Sequence, residues 1–247
     1  MDHYLLINGL KTKANFSETA TQKIFVPLLR RLNNMQKEAG RRIVVFLAGP
    51  PGAGKSTLVA FLESLSSQQE GMTPVQSLGM DGFHHYQDYL LSHFITRDGE
   101  TIPLVKIKGS PITFDVAKMK AKIKDIADGK TVTWPVYDRT IHNPIEDVIT
   151  VNKNIILIEG NYLLLEEGEW KYLAEFADYT IFMKGDEAML RRRLIDRKVQ
   201  TGVDEVEATK FVDQSDMSNL HLILHQSRKA DLTLEIDENS DFHIVNN

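Results

Sequence analysis

Apolar residues concentrate in short β-branched runs that alternate with segments of helical spacing. "RIVVFLAG" (42–49), "NIILIEG" (154–160) and "DYTIFMKG" (178–185) are strand-length and nearly all apolar, with a weaker run, "DLTLEI", at 231–236. Runs of that kind fit parallel strands covered on both faces. Between them, helical spacing predicts a helix from Lys55 to about Leu65, one around Val116 to Ala127, and one through Met189, Leu190, Leu194 and Ile195. Strands separated by helices imply an α/β layered fold with a parallel sheet. "PVQSLGMD" reads as a further short strand ending in Asp81.

The N-terminal part, 1–41, reads differently. Asn8-Gly9 in "YLLINGLKTKANF" is a hairpin signal, because both residues tolerate positive φ. Ser17 is a suitable N-cap for an amphipathic helix with Ile24, Phe25, Leu28, Leu29, Leu32 and Met35 on its apolar side and a kink expected at Pro27. The long stretch 82–150 exceeds a plain connection and is read as a functional insertion within a single domain spanning 1–247.

A chain of 247 residues with 42% hydrophobic and 26% charged content can bury a sizeable core. Its net charge of -5 and pI of about 5.9 argue against polyanion binding, so no nucleic-acid partner is expected. The absence of cysteine excludes disulfides, thiolate metal sites and a cysteine nucleophile. No stretch reaches the roughly 18 apolar residues that span a bilayer, and the expectation is a soluble, cytoplasmic protein with no membrane partner.

"GPPGAGKST" carries the chemistry. Gly49, Pro50, Pro51, Gly52, Ala53, Gly54, Lys55, Ser56 and Thr57 match G-x-x-x-x-G-K-[ST], with a buried strand before and a helix after. Glycines let backbone N–H groups converge on phosphate oxygens at a helix N-terminus. Lys55 reaches the β- and γ-phosphates, and the Ser56 hydroxyl can ligate Mg²⁺. ATP and Mg²⁺ are the expected cofactors. A GTPase switch needs N-K-x-D, whereas Asn152-Lys153-Asn154-Ile155 lacks the aspartate.

A small-molecule kinase needs more than the loop. Asp81 is placed to accept the hydroxyl proton or to hold the acceptor in line, and Glu159 to hold Mg²⁺ directly or through water. Arg193 and Arg197 share a helix face at i and i+4, the place for a charge-stabilising lid within 186–228. His84 and His85 diverge on any regular backbone and make poor joint metal ligands; His84 is expected to line the acceptor pocket. His221 and His225 have zinc-helix spacing without the acidic residue of H-E-x-x-H, and a surface or packing role is expected.

In order, "GPPGAGKST", "DGFHH", "KGSPITFD", "PVYD" with His142 downstream, "IEGNYLLL" and the arginine-rich segment resemble the phosphoribulokinase, uridine kinase and pantothenate kinase group of P-loop small-molecule kinases over residues 42–230. The resemblance implies a P-loop NTPase-type three-layer fold with a parallel sheet, an acceptor-binding insertion and an arginine-bearing lid. It implies Asp81 as catalytic base, Glu159 as the carboxylate of "IEG" that supports the metal, Arg193 and Arg197 as lid arginines, and Tyr137 and His142 as contacts to the acceptor. Pro144 stands where the uridine kinase pattern has an arginine. The implied activity is transfer of the γ-phosphoryl of ATP to a hydroxyl of a small acceptor such as a nucleoside, sugar or pantothenate-like molecule, by a possible homodimer. The alternative is a nucleotide-binding regulator without turnover that acts through a partner.

Overall fold

A computed structural model of the protein describes residues 2–7, 10–97 and 99–245. Strands β1 (Asp2–Ile7) and β2 (Leu10–Asn15) pair antiparallel, with Ile7 opposite Leu10 as the innermost pair. The Asn8-Gly9 turn expected between them lies outside the described residues. Ser17 accepts a hydrogen bond from the Ala20 N–H at 3.0 Å and opens α1 (Glu18–Ala20). A π-helical turn, Thr21–Phe25, leads into α2 (Val26–Ala39), which Gly40 ends in the left-handed region at φ 62°. The irregularity expected at Pro27 is this wide turn just ahead of it, because a residue without an N–H cannot close the i to i−4 bond.

The remainder is layered. In chain order come β3 (Ile43–Ala48), α3 (Lys55–Gln68), β4 (Val75–Gly79), α4 (Gln87–Ser92), and the ribbon β5 (Phe94–Arg97) and β6 (Glu100–Pro103). Then follow α5 (Val116–Ala127), a second ribbon of β7 (Val132–Asp138) and β8 (Asn143–Val151), β9 (Ile155–Gly160) and β10 (Tyr179–Gly185). Helices α6 (Glu187–Gln200), α7 (Glu205–Phe211) and α8 (Met217–Gln226) precede β11 (Leu232–Ile236) and β12 (Phe242–Val245).

The central sheet has the order β12-β11-β10-β3-β9-β4 and is parallel except for β12. All six residues of β3 are buried. Alternation divides them: Ile43, Val45 and Leu47 join the core under α2 and α3, while Val44, Phe46 and Ala48 join the core shared with α5 and Trp134. Each of the larger of these side chains, Ala48 apart, contributes about 1.5–3 kcal/mol on burial, so β3 is held from both faces. Phe16, just after the N-terminal ribbon, stacks on Phe61 of α3 at 3.9 Å between centroids, fixing the ribbon's exit against the layer that carries the phosphate loop. The result is the expected three-layer α/β fold. No helix among the described residues is long and apolar enough to cross a membrane.

Candidate active site

The loop 49–57 leaves β3 at the carboxyl end of the sheet and enters α3. Gly54 occupies the helix N-cap at φ 85°, a left-handed conformation that a side chain would strain. Its lack of a side-chain cap leaves the first N–H groups of α3 facing the loop's hollow, where phosphate oxygens are favoured. Lys55 is buried, and its Nζ donates to the Pro50 carbonyl at 2.9 Å and to Asn161 Oδ1 at 2.7 Å. Burial pushes the Lys55 ammonium down to about 8 against the attraction of Glu159 and Asp81; Arg197 lowers it further. Asn161 follows β9 directly. It is a polar residue at a strand end facing the loop, a signal open to sequence reading but not taken up there.

Strands β3 and β9 run side by side with Leu47 opposite Glu159, which brings Glu159 to the start of α3. Ser56 Oγ donates to Glu159 Oε1 at 2.6 Å. Burial holds the Glu159 carboxyl above its ordinary range, Asp81 adds to that, and Lys55, the Ser56 hydrogen bond and Arg139 oppose it. These are hard oxygen donors of the kind Mg²⁺ accepts alongside phosphate oxygens. Among the described residues no group of three His, Cys, Asp or Glu side chains could hold a metal by itself.

The strand expected to end in Asp81 stops two residues short of it. β4 stops at Gly79, and a 3₁₀ turn, Met80–Phe83, carries the carboxylate. The turn is locked in place: Trp134 Nε1 donates to the Gly79 carbonyl at 2.8 Å, and a Cβ on Gly82 would collide with the Pro135 carbonyl of β7. Arg139, on the turn between β7 and β8, lies 3.5 Å from Asp81 Oδ2. Lys55, Glu159, Asp81, Arg139 and Arg197 thus form one electrostatically coupled group around the mouth of the loop.

Beyond Asp81 the wall becomes aromatic. His84 stacks on Phe114 at 3.9 Å and meets Tyr137 edge-on at 5.2 Å. Burial pushes the His84 imidazole down to about 4, despite the pull of Asp81 upward, so the ring is neutral at pH 7. Its Nδ1 is buried without a hydrogen-bond partner. His85 points elsewhere and stacks on Tyr89 at 4.2 Å, as expected of adjacent histidines that diverge. Lys108 Nζ lies 4.9 Å over the Tyr137 ring and donates to Gln87 Oε1 at 3.0 Å and to the His142 carbonyl at 2.9 Å. His142 itself is exposed at φ 53° in the β7–β8 turn, so its backbone, rather than its ring, is engaged with this wall.

The two arginines of α6 part company. Met189, Leu190, Leu194 and Ile195 are buried, as their spacing predicts. Arg193 donates to the Asp237 carbonyl at 3.3 Å and to Ser240 Oγ at 2.9 Å, and so is turned to the β11–β12 connection. Arg197, one turn on, feels Arg139, Asp216 and Asp81; the protein packed around it and Arg139 hold its guanidinium below its usual value. Asp216, at the end of a π-helical turn before α8, lies 3.6 Å from Lys198 and completes this side of the cleft. His221 pairs with Glu187 at 2.9 Å and His225 lies 6.4 Å from it, in the surface arrangement expected.

A model of the family described as Phosphoribulokinase / Uridine kinase family matches residues 44–242, which spans β3 to β12 and every residue above. The chain belongs to that family. It is 39% identical over 242 residues, 98% of each chain, to the "Uncharacterized protein YggC" of Escherichia coli (strain K12). It is 31% identical over 205 residues, 79% of this chain and 83% of the other, to a Schizosaccharomyces pombe protein named "Putative uridine kinase C227.14". Among solved structures, one titled "putative fructose transport system kinase from Silicibacter sp. TM1040" aligns with a TM-score of 0.70 and 29% identity, over 82% of this chain and 98% of that one. The fold and relatives are those of P-loop kinases of the uridine, pantothenate and phosphoribulokinase type, a family that generally uses ATP and Mg²⁺ on small-molecule substrates.

Proposed function

We propose that this protein is an ATP-dependent kinase that transfers the γ-phosphoryl group to a hydroxyl of a small molecule. The observation that carries this reading is geometric: the Lys55 loop and the Ser56–Glu159 pair, at 2.6 Å, meet the end of β4, where Gly79 lies opposite Glu159 and the next turn carries Asp81 3.5 Å from Arg139. A nucleotide store needs the first two; a carboxylate beyond the phosphates is what a hydroxyl acceptor needs.

Residues 49–57 cradle the triphosphate, with Lys55 exchanging Asn161 for phosphate oxygens. Ser56 and Glu159 would hold Mg²⁺, which when bound supplies charge neutralisation to the β- and γ-phosphates. Asp81 orients the acceptor hydroxyl and takes its proton. The bond from the bridging β–γ oxygen to the γ-phosphorus breaks as the acceptor oxygen bonds to that phosphorus, and the electron pair leaves with ADP. Arg197 faces the charge spread over the equatorial oxygens, while Arg193 anchors α6 to the β11–β12 turn. Residues 82–150 form the acceptor region, with His84 and Tyr137 as its wall and the His142 turn at its rim, and 186–228 form the lid.

The test is ADP formation with and without nucleosides, pantothenate, sugars and sugar phosphates, run beside Asp81→Ala. Stimulation by an acceptor, lost in the variant, supports the reading. Equal ADP formation with and without every acceptor, or full activity in the variant, overturns it.

A further inference from the structure

The acceptor wall holds a cation, Lys108, for which the described residues supply no carboxylate counterion. Lys108 is half-buried, and among the described residues no carboxylate lies within ion-pair distance of its Nζ. Its protein partners are all uncharged: the oxygens of Gln87 and His142, which take two of the three ammonium protons, and the face of the Tyr137 ring at 4.9 Å. Loss of water lowers the Lys108 ammonium from its ordinary value. A brace between α4 and the β7–β8 turn needs a donor there. It does not need a cation, and a charge partly withdrawn from water gains from a counterion.

The neighbouring groups fix what is missing. His84 and Lys108 both meet the Tyr137 ring, at 5.2 Å and 4.9 Å, and His84 lies within electrostatic reach of Asp81, Arg139 and Lys108, so the lysine, the imidazole and the proposed base line one wall. Being neutral, His84 contributes no charge, and its buried Nδ1 still wants a hydrogen-bond partner. Asp81 has Arg139 beside it, and Glu146 of β8 is bonded to Lys118 and Tyr86. The phosphates of ATP belong at Lys55 and Arg197, across the cleft. The wall therefore offers a base, a neutral polar ring and a cation without a carboxylate partner.

We propose that the acceptor carries an anionic group, a carboxylate or a phosphate, which Lys108 receives beside Tyr137 and His84, while His84 Nδ1 meets one of its polar atoms. The inference rests on the kinase reading of the same cleft and narrows it: the substrate is a hydroxylated anion, and its uncharged analogue is a poor ligand.

The test uses matched pairs that differ in charge: pantothenate with panthenol, ribose 5-phosphate with ribose, fructose 6-phosphate with fructose, and glycerate with glycerol. Binding to the full chain is measured by calorimetry with a non-hydrolysable ATP analogue and Mg²⁺, and turnover separately by ADP release. The charged member of at least one pair should bind about tenfold or more tighter than its neutral partner. Which pair responds tells carboxylate from phosphate. Lys108→Gln, which keeps a donor for the brace, should remove most of that preference, and Lys108→Arg should retain it. Neutral members that bind as well as charged ones, no charged member that binds, or a preference untouched in Lys108→Gln would each overturn the inference. Charged-member binding without turnover would leave the inference standing and overturn the kinase reading instead.

Discussion

The Ser56 hydroxyl donates to Glu159 Oε1 across 2.6 Å and ties the first turn of α3 to the end of β9. Both oxygens sit at the mouth of the phosphate loop, so the pair is the proposed seat of Mg²⁺. Glu159→Gln keeps an acceptor for Ser56 and removes the charge. The Mg²⁺ concentration that half-saturates binding of a fluorescent ATP analogue should rise about tenfold or more, with metal-free nucleotide binding little changed. An unaltered Mg²⁺ dependence would remove Glu159 from that role.

Lys55 is held near 8 by burial, against about 10.5 when free. Between those values the folded chain binds fewer protons than the unfolded one, so this residue's contribution to stability rises with pH across that window. A bound triphosphate reverses the shift, because an anion favours the ammonium. ATP binding at pH 8.5 should therefore take up a fraction of a proton, read by calorimetry in two buffers of different ionisation enthalpy. The uptake should vanish in Lys55→Met. Proton release in the wild type would contradict this account.

His84 is held near 4 against about 6.5 when free. Between those values the unfolded chain again binds more protons, so stability is lost as pH falls from about 6.5 towards 4. Denaturant unfolding at pH 7 and 5 should show a smaller drop for His84→Gln than for the wild type. An equal drop would mean that the imidazole is not held neutral.

The two lid arginines should separate in experiment. Arg197→Ala should lower kcat by about 10- to 1000-fold with less effect on KM, as expected when a transition-state contact is removed. Arg193→Ala should cost about 1 kcal/mol of stability through its lost hydrogen bonds to Asp237 and Ser240. Equal losses of kcat in both variants would show that Arg193 also faces the transfer.

What could be read from the sequence was what is local along the chain. β3, the loop and α3 are contiguous, and their hydrophobic run, glycines and lysine announce strand, turn and helix without any long-range contact. The β7–β8 ribbon was not visible in the same way. Pro135 and Pro144 break the alternation, Pro135 falling at the register shift between Trp134 and Val136, and a proline in such a run argues against a strand. Arg193 and Arg197 illustrate a second limit: i, i+4 spacing sets the shared face, but not that one arginine meets the 237–240 turn and the other the cleft. Lys108 opens "KGSPITFD", yet its lack of a carboxylate partner is a property of packing and has no sequence signal.

The central claim is that Asp81 serves a hydroxyl acceptor in phosphoryl transfer. The most direct measurement is acceptor-stimulated ADP formation by the wild type and Asp81→Asn, with nucleotide affinity determined in parallel. The account predicts a loss of about 10²- to 10⁴-fold in kcat, with ATP binding nearly unchanged. Full acceptor-dependent turnover in Asp81→Asn, or ATP turnover in the wild type indifferent to every acceptor, would contradict it.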